Sequence, residues 1–171
     1  MRTDPDLGYV AKMVKWQEAI DDSPKINQLA AIPIQARSIY VEHRRDNEYP
    51  DYFERPIMLV SKGIKQVFSM YQEGIEFRLR VLNETESGKQ VVYYSVNVPV
   101  IDCAKDGKKD NVYASLSDIV LDTRIIGFQR VFTVSGFPKN LIVRLDVAES
   151  ILRRSPYGVT FDKMTASSHL K

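Results

Sequence analysis

The sequence predicts an α+β fold in which a mixed, mainly antiparallel sheet carries a few packed helices. Three observations point there. β-Branched and aromatic residues gather in short alternating runs at 75–79, 91–98 and 129–135, as strands require. Helical periodicity is confined to brief stretches. A strand, helix and strand unit at 57–77 also returns at 141–161, at a constant offset of 84 residues.

The elements follow in chain order. Tyr9, Val10, Met13, Trp16 and Ile20 recur at helical spacing before the breaker Asp21-Asp22-Ser23-Pro24, which predicts a peripheral helix over 9–20. Ile32-Pro33-Ile34 and Ser38-Ile39-Tyr40-Val41 read as extended. The first suits a sheet edge, because proline cannot donate to a ladder. His43 to Asn47 and Pro50-Asp51 carry turn chemistry.

In the first repeat unit an apolar strand at 57–60 leads to Ser61, a helix cap. Ile64, Val67, Phe68 and Tyr71 then share one helical face. Gly74 ends that helix, and Ile75, Phe77 and Leu79 alternate with Glu76, Arg78 and Arg80. Glu84 to Lys89 forms a hairpin turn through Ser87-Gly88, which pairs 77–83 antiparallel with 91–98. A shorter strand is expected at 117–121. In the second unit Asp146 and Glu149 stand at capping-box spacing, with Ala148, Ile151 and Leu152 as the inward face. Its helix stops before Pro156. Gly74 and Gly158, and Phe77 and Phe161, are the identical pairs at the ends of the two units. The chain thus divides into an N-terminal helix and extended segments at 1–50, an α+β core at 51–165 and a flexible tail at 166–171.

Composition excludes several classes. A net charge of +2 on 171 residues implies no polyanionic partner. Lys105, Lys108 and Lys109 are interleaved with Asp102, Asp106 and Asp110, the pattern of a solvated loop. One cysteine rules out an intramolecular disulfide and a CxxC metal or redox pair. Residues 1–15 lack an apolar core of signal-peptide length, and no apolar run approaches the roughly 20 residues of a membrane helix. The expectation is a cytoplasmic protein without a cofactor.

Motifs for phosphate binding, dinucleotide binding, zinc proteolysis and serine hydrolysis are absent. Two histidines, His43 and His169, do not make a multi-histidine metal site. An enzyme would have to use Asp102, Cys103 or His43 in an unfamiliar arrangement. The carboxylate beside Cys103 raises its thiol pKa, the wrong direction for a nucleophile. Asp102, Asp118 and Asp122 would need to converge to act together, and aspartates at strand ends usually serve turns. Tyr93, Tyr94 and Tyr113 near Lys89, Lys108 and Lys109 suggest a weak single-stranded nucleic-acid platform. Tyr93 and Tyr94 are consecutive, however, so a strand turns one of them inward.

One resemblance adds to this reading. Pro50-Asp51-Tyr52, Pro56-Ile57-Met58-Leu59-Val60-Ser61 and Gly74-Ile75-Glu76-Phe77 resemble the central part of a bacterial polymorphic-toxin immunity family, the eleventh in the usual numbering. Later segments fit it as well: Val96-Asn97-Val98, Ile101-Asp102-Cys103, Ile119-Val120-Leu121-Asp122, Val131-Phe132-Thr133-Val134 and Gly158-Val159-Thr160-Phe161. The resemblance spans about residues 50–161. It implies a small cytosolic protein that binds and blocks a cognate toxin without catalysis. Such binding concentrates in a few aromatic and arginine anchors, and the N-terminal third offers Tyr40, His43, Arg44, Arg45, Tyr49, Tyr52 and Phe53.

Overall fold

A computed structural model describes residues 1–17, 37–105 and 119–168, and strand dominates them. In chain order, β1 (Arg2–Thr3), β2 (Tyr9–Val10), β3 (Met13–Val14), β4 (Arg37–Val41), β5 (Asn47–Glu48), β6 (Tyr52–Phe53) and β7 (Leu59–Val60) lead to helix α1 (Lys62–Tyr71). The long strands β8 (Glu76–Glu84) and β9 (Gln90–Asn97) follow, then β10 (Val100–Ile101), β11 (Val120–Asp122), the one-turn helix α2 (Thr123–Ile126), β12 (Val131–Val134) and β13 (Phe137–Val143). Helix α3 (Leu145–Leu152), β14 (Val159–Thr160) and β15 (Thr165–Ser167) complete the described chain.

The mixed, mainly antiparallel α+β class expected from the sequence is what the chain adopts. A six-stranded sheet runs in the order β3-β4-β8-β9-β7-β6, antiparallel except where β4 meets β8. Its spine is the expected hairpin, paired from Glu76 opposite Asn97 to Asn83 opposite Gln90. The order β10-β12-β13 makes a second sheet, and β1-β14, β2-β5 and β11-β15 are two-stranded.

Side-chain alternation joins these sheets into layers. On β6, Tyr52 enters one apolar cluster and Phe53 another, and on β7 Leu59 and Val60 divide between the same two. Val131 and Leu141 join the first cluster, whereas Phe132 and Ile142 enter a third. The first cluster therefore lies between the two main sheets, closed by α1 and α3 through Ile64, Val67, Phe68, Val147 and Ile151. Each such side chain, fully buried, contributes about 1.5–3 kcal/mol of transfer free energy. Strands with both faces buried read as continuous apolar runs, as residues 57–60 and 141–143 do, and 131–134 is interrupted only by the buried Thr133.

Helix α1 follows its sequence signals. Ser61 caps it by accepting the Ile64 N–H at 3.5 Å, and Ile64, Val67 and Phe68 are its buried face. Gln72 is its C-cap, and Gly74 turns the chain two residues later at φ 77. The two units share the order strand, helix, positive-φ glycine and strand, with Gly158 at φ 65. They differ in extent, since β8 has nine residues and β14 two.

Four expectations need correction. Over the described part of 9–20, the chain forms β2 and β3 where a helix was expected: Tyr9 pairs with Asn47, Val10 with Glu48 and Met13 with Val41. The edges of β4 and β5 supply backbone partners there, and Lys15 at φ 51 turns the chain away from a helix. The capping box of the second unit does not form. Arg144 is the N-cap of α3 without a side-chain bond, because the helix starts at Leu145 and Asp146 lies inside its first turn, where its Oδ1 accepts the Val147 N–H at 3.0 Å and its Oδ2 takes Arg130 Nη1 at 2.7 Å. Leu152 is exposed, and Val147 takes the inward place expected for it. In the tail, Thr165–Ser167 pairs parallel with β11. Residues 18–20, the extended segment at 32–34, Asp118, Tyr113 and His169 lie outside the described residues.

Among the described residues, no helix is long and apolar enough to cross a membrane.

Candidate functional site

The inward face of β8 carries Arg80, Leu82 and Glu84, all buried. A carboxylate at the end of such a row must be satisfied locally, since burying an unpaired charge is costly. Glu84 is satisfied by side chains from four positions. Ser87 of the hairpin turn donates its hydroxyl, and the Tyr49 hydroxyl donates to Oε1 at 2.6 Å. Asn47 Nδ2 adds a bond of 2.9 Å to Oε1, and His43 Nδ1 lies 3.3 Å from Oε2.

These bonds, led by those of Ser87, Tyr49 and Asn47, hold the Glu84 carboxyl down at about 2 against the opposing effect of burial, with His43 adding a smaller share. Burial, then the neighbouring Glu84, pushes the Tyr49 phenol up. Lys89 Nζ stacks 4.2 Å from the Tyr49 ring centroid. The effect is mechanical: residues 43–49, which carry no long strand, are tied to the end of the central hairpin.

The pinned loop presents arginine outward. The Arg44 guanidinium carbon lies 3.5 Å from the centroid of the Tyr9 ring, and Arg44 Nε is 3.8 Å from Asp46 Oδ1. Arg45 beside it is exposed. Tyr9, 48% exposed, sits on β2, which β5 holds in register. Glu48 of β5 accepts the Gly8 N–H at 3.1 Å, and burial, then this carboxylate, pushes the nearby Tyr157 phenol up. Tyr157 is 50% exposed and is fixed by its N–H to Asp51 Oδ2 at 2.7 Å. Tyr9, Arg44 and Arg45 form an aromatic and cationic patch at the β2-β5 pair, and Tyr157 adds an exposed ring by Glu48 of the same pair.

The structure distributes the seven anticipated residues unequally. Arg44 and Arg45 are in the patch, and His43 and Tyr49 are the clamp beneath it. Tyr40 is exposed but points to the opposite sheet face from Glu84, because its neighbour Val41 is the residue in register with Glu84. Tyr52 and Phe53 are 0% and 1% exposed and offer no surface, a correction to their place among candidate anchors. They are core because both faces of β6 are covered. Tyr9 and Tyr157 were not anticipated. The helical spacing around Tyr9 concealed it, and Tyr157 reaches Glu48 only through the fold.

His43, Asp102 and Cys103 are not brought together. His43 is engaged by Glu84, and Asp102 is exposed. Cys103 is fully buried in the third cluster, where burial pushes its thiol up, opposed in part by a backbone hydrogen bond, with a smaller upward push from Asp122. Asp122 caps α2. Its carboxylate receives Arg124 Nη2 at 2.9 Å and the Arg124 N–H at 2.9 Å, with Lys105 Nζ at 3.9 Å. Arg124 holds it down at about 2, assisted by Lys105. A shallow cleft of about 110 Å³ beside α1 is lined by Asp51, Ser61, Gly63 and Arg154 among others, and by none of His43, Asp102 or Cys103. Tyr93 is buried, donating to the Pro50 carbonyl at 2.8 Å and meeting Phe53 edge-on, so it presents no stacking surface. Among the described residues, no group of three or more histidine, cysteine or acidic side chains is placed to hold a metal ion.

The clamp makes stability depend on acid. Because the folded Glu84 carboxyl lies near 2 and its ordinary value is 4.5, its contribution is present above pH 4.5 and is lost as pH falls towards 2. Asp122 acts in the same direction. Urea midpoints measured from pH 6 to pH 2.5 are expected to fall steeply for the wild type. Glu84→Gln is expected to be less stable at pH 6 but to have a flatter profile; parallel profiles would show that the clamp does not contribute.

The chain matches no protein-family model, and no curated protein matches it.

Proposed function

We propose that this protein is a non-catalytic binding module that grips and blocks a protein partner, and that the partner is a bacterial toxin encoded beside it. The observation that carries the binding role is the Arg44 guanidinium stacked 3.5 Å from the half-exposed Tyr9 ring. Tyrosine and arginine dominate binding hot spots. A surface already ordered before contact loses less entropy on binding, and the Glu84 clamp supplies that order. The resemblance of residues 50–161 to an immunity family directs the choice of partner to a toxin.

The test is co-expression with the toxin from the neighbouring gene, with the complex recovered by affinity tag. Wild-type protein is expected to rescue growth. The double variant Tyr9→Ala/Arg44→Glu is expected to keep its melting temperature within a few degrees, while its affinity falls by at least about 30-fold, the scale of one lost hot-spot residue. Cells that die at the same rate with and without the wild-type protein, with no complex recovered, would sink the proposal. Rescue by the double variant at full affinity would move the binding surface elsewhere.

A further inference from the structure

A second surface stands apart from the Tyr9 patch, at the turn between β11 and β12. Asp122 caps α2, and the helix ends after one turn on Gly127, whose φ is 56. The Gly127 N–H reaches the Thr123 carbonyl at 3.1 Å, and the Gln129 N–H reaches the Ile126 carbonyl at 3.2 Å. Phe128 is therefore carried on a closed, hydrogen-bonded turn, and it is 97% exposed. Ile125, three residues earlier, is 56% exposed, while Ile126 packs against the third cluster and roots the turn.

The same end of the fold carries Leu145, 74% exposed. The β12-β13 ladder reaches Val131 opposite Val143, and the Arg144 N–H continues to the Arg130 carbonyl at 2.8 Å. That continuation sets Leu145 at the end from which Phe128 projects. Among the described residues there, charge is unequal: Arg124, Arg130 and Arg144 accompany Asp122 and Asp146, and Asp122 is nearly buried. The chain thus offers an apolar knob with a cationic rim.

We infer that this tip is a docking anchor for an acidic protein surface, with Phe128 and Ile125 filling an apolar pocket and Arg144 meeting carboxylates at its edge. Exposed aromatic residues and arginine are enriched in binding hot spots, and complementary rim charge steers association. Arg124 and Arg130 are held in fixed geometry by Asp122 and Asp146. The inference rests on the proposed toxin-blocking role and names a second point of contact on the same partner.

The experiment measures binding of the purified neighbouring-gene toxin to the full chain and its variants by surface plasmon resonance. Phe128→Ser is expected to raise the Kd by at least about 30-fold. Arg144→Glu is expected to slow association by roughly tenfold and to weaken the salt dependence. Melting temperatures should stay unchanged, because both side chains are exposed. If the wild type binds and Phe128→Ser binds equally well, the tip is not an anchor and the toxin-blocking role stands. If the wild type does not bind the toxin, the role itself fails and takes this surface with it. Sedimentation of the wild type, but not Phe128→Ser, with phosphatidylserine–phosphatidylcholine vesicles would reassign the tip to membranes. A dimer in light scattering that Phe128→Ser dissolves would reassign it to self-association; either result overturns the inference.

Discussion

Gly158→Ala is expected to destabilise the protein by about 3 kcal/mol, whereas Gly74→Ala costs about 1 kcal/mol. The two glycines close equivalent units and share left-handed backbone, at φ 65 and φ 77. An alanine in that region costs about 1–2 kcal/mol at either place. Their surroundings differ. Around Gly74 a Cβ would meet nothing within 4 Å, but at Gly158 it would stand 2.5 Å from Leu7 Cδ1 and 2.7 Å from Pro50 Cβ. Leu7 can swing aside at some cost in packing. Pro50 is buried and its ring is rigid, and Asp4 N–H holds the Gly158 carbonyl at 3.0 Å. The crowding adds roughly 1–3 kcal/mol of strain. Urea denaturation of the two single variants checks this. Equal losses would show that the N-terminal segment yields freely and that only backbone conformation matters.

Gln72→Ala is expected to cost about 2–3 kcal/mol. This side chain joins the first repeat unit to the second sheet by imitating a strand edge. Its Oε1 accepts the N–H groups of Arg130 at 2.6 Å and Val131 at 2.8 Å, while its Nε2 donates to the Val131 carbonyl at 2.9 Å. Val131 is fully buried. Truncation leaves its backbone groups without these partners, and unsatisfied buried groups cost more than the average hydrogen bond contributes. Gln72→Glu retains an acceptor for both N–H groups but turns an oxygen towards the Val131 carbonyl, so an intermediate loss is expected. Amide exchange should rise first at Arg130 and Val131. A loss below about 0.5 kcal/mol for the alanine variant would mean that β12 holds its position without the clamp.

Elements with their own periodicity were legible in the chain. The β8-β9 hairpin announces itself through alternation on either side of Ser87-Gly88, and α1 through Ser61 and an apolar stripe. The short strands were not legible, because two residues such as Tyr9–Val10 or Tyr52–Phe53 have no period to detect. Their state depends on which edge lies beside them. The candidate site followed the same division. Arg44 and Arg45 stand out as an exposed basic pair in a turn, yet nothing local says that Tyr52 is core or that Tyr40 faces away from Glu84.

By itself the sequence determined the class of fold, the central hairpin, both helices of the repeated units and the glycines that turn the chain after them. Each of these depends on contacts between near neighbours, where side-chain period and backbone preference act directly. Only the tertiary structure decided that Glu84 gathers His43, Asn47 and Tyr49, that Tyr9 lies beneath Arg44, and that Gln72 clamps Val131. Those contacts join residues far apart in the chain, and their strength comes from burial and geometry that exist only once the sheets have stacked.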